Sequence, residues 1–244
     1  TKLFPCLVDM RFKGVRVDLE HADKLKKNLM ERESKIINKI KELTGVDVEI
    51  HAARSIAKAF DKLKLPYDRT EKSNEPSFTK NFLQNHPHEL ARSIADAREI
   101  NKAHTTFIDS ITKHSHNGRI HADINQIRSD QGGTVTGRFS MSNPNLQQIP
   151  ARHPEIGPMI RSIFIPEKNT TWGSFDYSQQ EPRILVHYAK LQNLEGVDEI
   201  VNAYNEGNAD FHQVVADMAG IERKQAKTIN LGLMYGMGKN KLMA

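Results

Sequence analysis

From Leu19 to Leu43 the apolar residues Ala22, Leu25, Leu29, Ile36, Ile40 and Leu43 recur mainly at steps of three, four and seven. That spacing gathers them on one side of a long amphipathic helix. Asp18 stands where an N-cap belongs, and Gly45 follows where a helix commonly stops. A shorter helical pattern runs through Ile56, Ala57, Phe60 and Leu63 before Pro66 halts it. A third, from about Pro87 to Lys113, uses Leu90, Ile94, Ala97, Phe107, Ile108 and Ile111. Between the second and third, Lys64 to Pro76 is polar and reads as a surface loop. The first part of the chain is therefore mainly helical.

At Asn117-Gly118 the period changes. Ile120, Ala122 and Ile124 alternate onto one face, so a turn leads into a strand, and a domain boundary fits here. Ile160 to Ile165 and Thr171 to Asp176 supply two more strand candidates, joined through Pro166 to Thr170. The second is short, aromatic and β-branched, a buried strand that would hold Asp176 rigidly at its end. Helices resume after Ser178, where Ile184, Leu185, His187 and Tyr188 fit an amphipathic pattern. The fold class is α+β, with a mixed middle and a helical last third.

Composition narrows the function only slightly. In 244 residues, 35 Lys and Arg oppose 30 Asp and Glu, a formal +5 that favours an anionic partner but is common on solvated surfaces. The single Cys6 cannot form an internal disulfide, and no Cys/His array has zinc spacing, so a reducing compartment is expected. No apolar run approaches the ~20 residues of a membrane span. A soluble, cytoplasmic protein with no membrane partner is the expectation.

Two constellations carry chemistry. Asp176 ends an apolar run and Glu181 follows about one helical turn later, within Phe175-Asp176-Tyr177-Ser178-Gln179-Gln180-Glu181-Pro182-Arg183. Phosphoryl transfer needs cations to neutralise charge on the transferred group, and magnesium prefers hard oxygen ligands such as Asp176. The bland reading is that Asp176 caps the next helix. Further on, Arg223, Lys227, Leu231 and Tyr235 follow at four-residue steps and form a stripe on one side of a helix. Cations first, then an aliphatic side chain and a ring, match a nucleoside triphosphate laid along it; the bland reading is a packed surface helix. Gly232, Gly236, Gly238 and Lys239 do not form a phosphate-binding loop, because the spacing is one residue too long and Asn240 replaces the needed hydroxyl.

These two stretches, with Thr136-Gly137-Arg138-Phe139-Ser140 through Asn143-Pro144-Asn145-Leu146-Gln147-Gln148-Ile149-Pro150, resemble the family A, DNA polymerase I-like enzymes in the family's own order. The likeness runs from about Leu3 to Ala244 and is strong after Gly118. It implies a right-hand fold with a mainly helical thumb at 1–117, the first part of a mixed α/β palm at 118–190 and the start of helical fingers at 191–244. It implies template-directed DNA synthesis from dNTPs by two-metal nucleotidyl transfer on primer-template DNA, in DNA replication. Asp176 and the Tyr177 carbonyl would then hold Mg2+. Glu181 would exclude ribonucleotides, with His212, Arg223 and Lys227 at the phosphates and Leu231 and Tyr235 at sugar and base. Asp176, Arg223 and Lys227 would be catalytic, while Arg138, Asn145, Gln147 and Arg183 would contact DNA.

The sequence departs from the family at Gln180, Pro182 and Leu231, where aliphatic, leucine and aromatic residues are usual; such departures suit a phage enzyme. The family's His-Asp-Glu segment, which supplies the remaining metal-binding carboxylate, does not occur in these 244 residues. The expectation is an incomplete polymerase core, inactive alone, with a C-terminal polymerase fragment as its partner. A non-catalytic primer-template binding module or a split-polymerase subunit is the alternative. A single-subunit RNA polymerase relative is disfavoured by Glu181, whose closed gate would exclude its substrates.

Overall fold

The computed structural model describes every residue except Thr1, Gln131, Arg152, Asn208, Ala209 and Ala244. The chain divides into two compact units, 1–172 and 173–244. In chain order the first holds α1 (Leu3–Lys13), β1 (Val15–Arg16), α2 (Leu19–Thr44), α3 (Ala53–Lys62), β2 (Asp68–Arg69), β3 (Pro76–Ser77), α4 (Lys80–Asn85) and α5 (Glu89–Lys102). A π-helix (Ala103–Ile108) leads to α6 (Asp109–Lys113), β4 (Ser115–His116), β5 (Arg119–Ile120), β6 (Asp123–Asn125), β7 (Ser140–Ser142), a 3-10 turn (Leu146–Gln148) and α7 (Ile156–Arg161). The second unit holds α8 (Gln180–Leu191), α9 (Val197–Asn205), α10 (Phe211–Ala219), α11 (Arg223–Met234) and α12 (Lys239–Met243).

The long helix forms where its spacing and caps place it. Asp18 accepts from the His21 amide at 2.9 Å, and Gly45 turns left-handed at φ 68° while its amide closes on the Lys41 carbonyl. Along α2, Ala22 and Leu29 enter one core with Val17, Ile108, Ile111, Ile120, Ile160 and Ile163. Ile40 enters a second core with Ile56, Phe60, Phe78, Leu83, Leu90 and Ile94. Each such aliphatic side chain contributes roughly 1.5–3 kcal/mol on burial. The third predicted helix exists but is interrupted by the π turn, where His104 is buried and its Nε2 meets Glu33 Oε2 at 2.5 Å. Asn101 donates to the other oxygen of Glu33 at 2.9 Å.

Strands are short and antiparallel. Asn117 and Gly118, both with positive φ (48° and 71°), turn β4 into β5, and β5 lies between β1 and β4. β6 pairs with β7 in the register Ile124 to Met141. The expected loop at Lys64 to Pro76 carries the small β2–β3 hairpin.

Two strand expectations are corrected. Ile160 to Ile165 is not a strand: Ile156, Ile160 and Ile163 have helical spacing and fill the first core from α7 and the turn after it, leaving only a bridge from Phe164 to Val17. Thr171 to Asp176 is not a strand either. A strand persists by hydrogen-bonding a neighbour, and this segment has no such ladder among the described residues. Its aromatic side chains are uncovered, with Trp172 60% and Phe175 97% exposed. Asp176 therefore lies in an exposed irregular segment, without the rigid support that the apolar run suggested.

The second unit packs Val186 of α8 with Val197 and Tyr204 of α9, flanked by Phe211 of α10. The helix expected after Ser178 is present, but Ile184, Leu185, Tyr188 and Leu191 remain exposed on it. No helix among the described residues is long and apolar enough to cross a membrane.

Candidate nucleotide-binding site

The second unit brings together most of the residues singled out from the sequence. α11 starts with a capping box in which Glu222 and Gln225 satisfy each other's exposed amides. Its side chains then emerge in register: Arg223 and Lys227 exposed, Leu231 half-buried, Tyr235 exposed at the C-cap. Ala226 and Asn230 form the buried side. Tyr235 donates from its hydroxyl to Glu181 Oε1 at 2.5 Å, so the last residue of the stripe is tied to the first turn of α8.

α10 supplies the other wall. Asp210 caps it by accepting from the His212 and Gln213 amides, both at 3.1 Å. The second Asp210 oxygen accepts from Arg223 Nε at 2.7 Å. The Arg223 guanidinium, hydrogen-bonded to this carboxylate, holds Asp210 below the usual aspartate range. His212 is buried, its Nδ1 3.2 Å from the Asn230 amide nitrogen. Burial depresses its pKa, Asp210 opposes that, and Arg223 and Lys227 reinforce it.

At the start of α8, Gln179 adopts the left-handed conformation (φ 54°, ψ 40°). Its Oε1 accepts from Tyr204 Oη at 3.3 Å and from the Phe211 amide at 3.1 Å. Arg183 sits over the Tyr204 ring at 4.6 Å and donates to the Ser178 carbonyl. Spacing alone did not reveal Gln179, Tyr204 or Asn230 as parts of this site. Asp210 carried a signal, since an aspartate before an amphipathic run marks a helix N-cap.

Asp176 and the Tyr177 carbonyl offer hard oxygens of the kind magnesium takes. Among the described residues, however, no group of three or more His, Cys, Asp or Glu side chains could hold a metal ion. The donors fit in kind and fall short in number.

In the first unit, Asn145 accepts from the Gln147 amide at 3.1 Å, and Gln147 donates from its side chain to the Phe139 carbonyl at 3.2 Å. Arg138 is exposed just after the Val135–Thr136 turn, and its carbonyl accepts from Thr134 Oγ1. Arg138 thus precedes β7, while Asn145 and Gln147 follow it, after the cis Asn143-Pro144 bond.

The profile described as DNA polymerase family A matches residues 19–244. The chain is 37% identical over 260 residues to a DNA-directed DNA polymerase of Pseudomonas phage M6, covering 99% of this chain and 39% of that protein. It is 33% identical over 269 residues to the DNA polymerase DpoZ of Acinetobacter phage SH-Ab 15497, covering 99% and 42%. The chain thus spans about two fifths of the length of these curated relatives. Among solved structures, the POL domain of Pol1 from M. smegmatis, in complex with DNA primer-template and dNTP, shares the fold. Its TM-score is 0.75 at 24% identity, covering 97% of this chain and 42% of that one.

Proposed function

The chain belongs to DNA polymerase family A, and from that premise we propose that it forms part of a template-directed DNA polymerase core whose second unit binds the incoming dNTP. The observation that carries this reading is the α11 stripe: Arg223 and Lys227 for the phosphates, Leu231 and Tyr235 for sugar and base, with Tyr235 hydrogen-bonded to Glu181. Held by that hydroxyl, Glu181 stands where a 2′-hydroxyl would be refused. His212 adds a phosphate contact from α10. Arg138, Asn145, Gln147 and Arg183 serve primer-template DNA. The thumb, partial palm and partial fingers follow the boundaries 1–117, 118–190 and 191–244.

Mg2+ bound at Asp176 and the Tyr177 carbonyl would neutralise phosphate charge, as two-ion nucleotidyl transfer requires. Asp176 and the Tyr177 carbonyl alone do not make that site, and this reading takes the further carboxylates from a part of the polymerase core other than these 244 residues. The 244-residue chain is accordingly expected to bind nucleotide without extending a primer. A charged hydrogen bond contributes about 1.5–3 kcal/mol, so Arg223→Ala and Lys227→Ala should each weaken dNTP binding roughly 10- to 100-fold, measured by titration of a fluorescent dNTP. Unchanged affinity in both variants would refute the site.

That no group of three or more metal-binding side chains occurs among the described residues also supports a second reading, a non-catalytic primer-template binding module. Adding a separately expressed C-terminal polymerase fragment of a relative separates the two. Asp176-dependent primer extension supports the split or incomplete core, and DNA binding with no extension supports the module.

A further inference from the structure

Two buried polar side chains of the second unit satisfy each other. Asn230, 5% exposed, sits one turn after Ala226 on the buried side of α11, and His212, 3% exposed, lies in the first turn of α10. The amide nitrogen of Asn230 is 3.2 Å from Nδ1 of His212. A neutral imidazole has one donor and one acceptor, so a ring that accepts at Nδ1 carries its proton on Nε2. We propose that Asn230 is a positioning residue: by donating to Nδ1 it fixes His212 as the Nε2–H tautomer and so presents one neutral donor to the phosphate chain held by Arg223 and Lys227.

This deepens the dNTP reading above and rests on it for the identity of the anion. The surroundings favour a neutral ring. Burial works against the imidazolium, and so do the Arg223 and Lys227 cations of α11; only Asp210, at the cap of α10, pulls the other way. Asp210 is itself engaged by Arg223 and by two amides of its own helix. A third cation beside two others would cost electrostatic energy before any anion arrives, whereas an N–H dipole does not. Left without a partner at Nδ1, the ring could place its proton on either nitrogen, and half of its donor capacity would point away from the ligand.

The test is a long-range 1H–15N correlation spectrum of the 15N-labelled 244-residue chain at neutral pH, with the His212 signals assigned through His212→Gln. The expected result is the Nε2–H pattern. Asn230→Asp keeps the size but can only accept, so it should convert His212 to the Nδ1–H tautomer or to imidazolium. An Nδ1–H ring in the parent, or the same tautomer in parent and Asn230→Asp, would overturn the proposal. The parent spectrum decides even where the variant does not fold. Inorganic tripolyphosphate, titrated into the parent, should move the Nε2–H signal. If the parent holds Nε2–H, Asn230→Asp switches it and tripolyphosphate leaves it still, the phosphate reading fails while the role of Asn230 in setting the tautomer stands.

Discussion

In the proposed dNTP site, Leu231 would give the sugar an aliphatic surface with neither a planar face nor a hydroxyl. Discrimination at the sugar 3′ position should therefore differ from that of an aromatic residue. Competitive binding of dideoxy- and deoxynucleotides to the parent, Leu231→Phe and Leu231→Tyr checks this, and one common selectivity for all three would sink it. Asp210 supplies a pH-dependent contribution through Arg223. A carboxylate depressed on folding stabilises fully above its unfolded pKa of about 4, and that stability is lost as pH falls through the lower folded value. Asp210→Asn should thus flatten the decline of the thermal midpoint below about pH 4. The stripe from Arg223 to Tyr235 was legible in the sequence because one helix sets its period. The partners Gln179, Tyr204 and Asn230 were not, because inter-helix packing leaves no trace in spacing.

Local chemistry made some elements readable and left others hidden. The limits of α2 follow from Asp18 and Gly45, which act on their own neighbours; Asp18→Ala should cost about 1 kcal/mol in urea unfolding. The expected strand at Thr171 to Asp176 failed because β propensity needs a partner that no local pattern supplies. Ile160 failed differently, as a short apolar run admits helix or strand alike. Nor did spacing show the π turn between α5 and α6, whose buried His104 meets Glu33 of α2. His104→Ala removes that ring and leaves Glu33, itself 13% exposed, with one hydrogen bond fewer. A loss of about 2–4 kcal/mol is expected, against a smaller one for Glu33→Gln.

Across the whole chain, the change of unit at Trp172 and Gly173 coincides with a stretch that has no regular secondary structure from Thr171 to Tyr177. Trp172, Phe175 and Tyr177 are exposed there, and exposed irregular backbone is where proteases cut first. Brief chymotrypsin treatment should cleave within this stretch before any helix, with the products read by mass spectrometry; first cuts inside α2 or α5 would contradict the structure. The family, the α+β class and the missing His-Asp-Glu segment were legible in the sequence, whereas the irregular, exposed setting of Asp176 needed coordinates. The same aromatic residues, with Ile184, Leu185, Tyr188 and Leu191 along α8, set how the protein behaves in a test tube. A surface so rich in uncovered carbon is salted out early, so the purified chain will light up hydrophobic dyes in its native state and cloud in concentrated ammonium sulfate well before it unfolds.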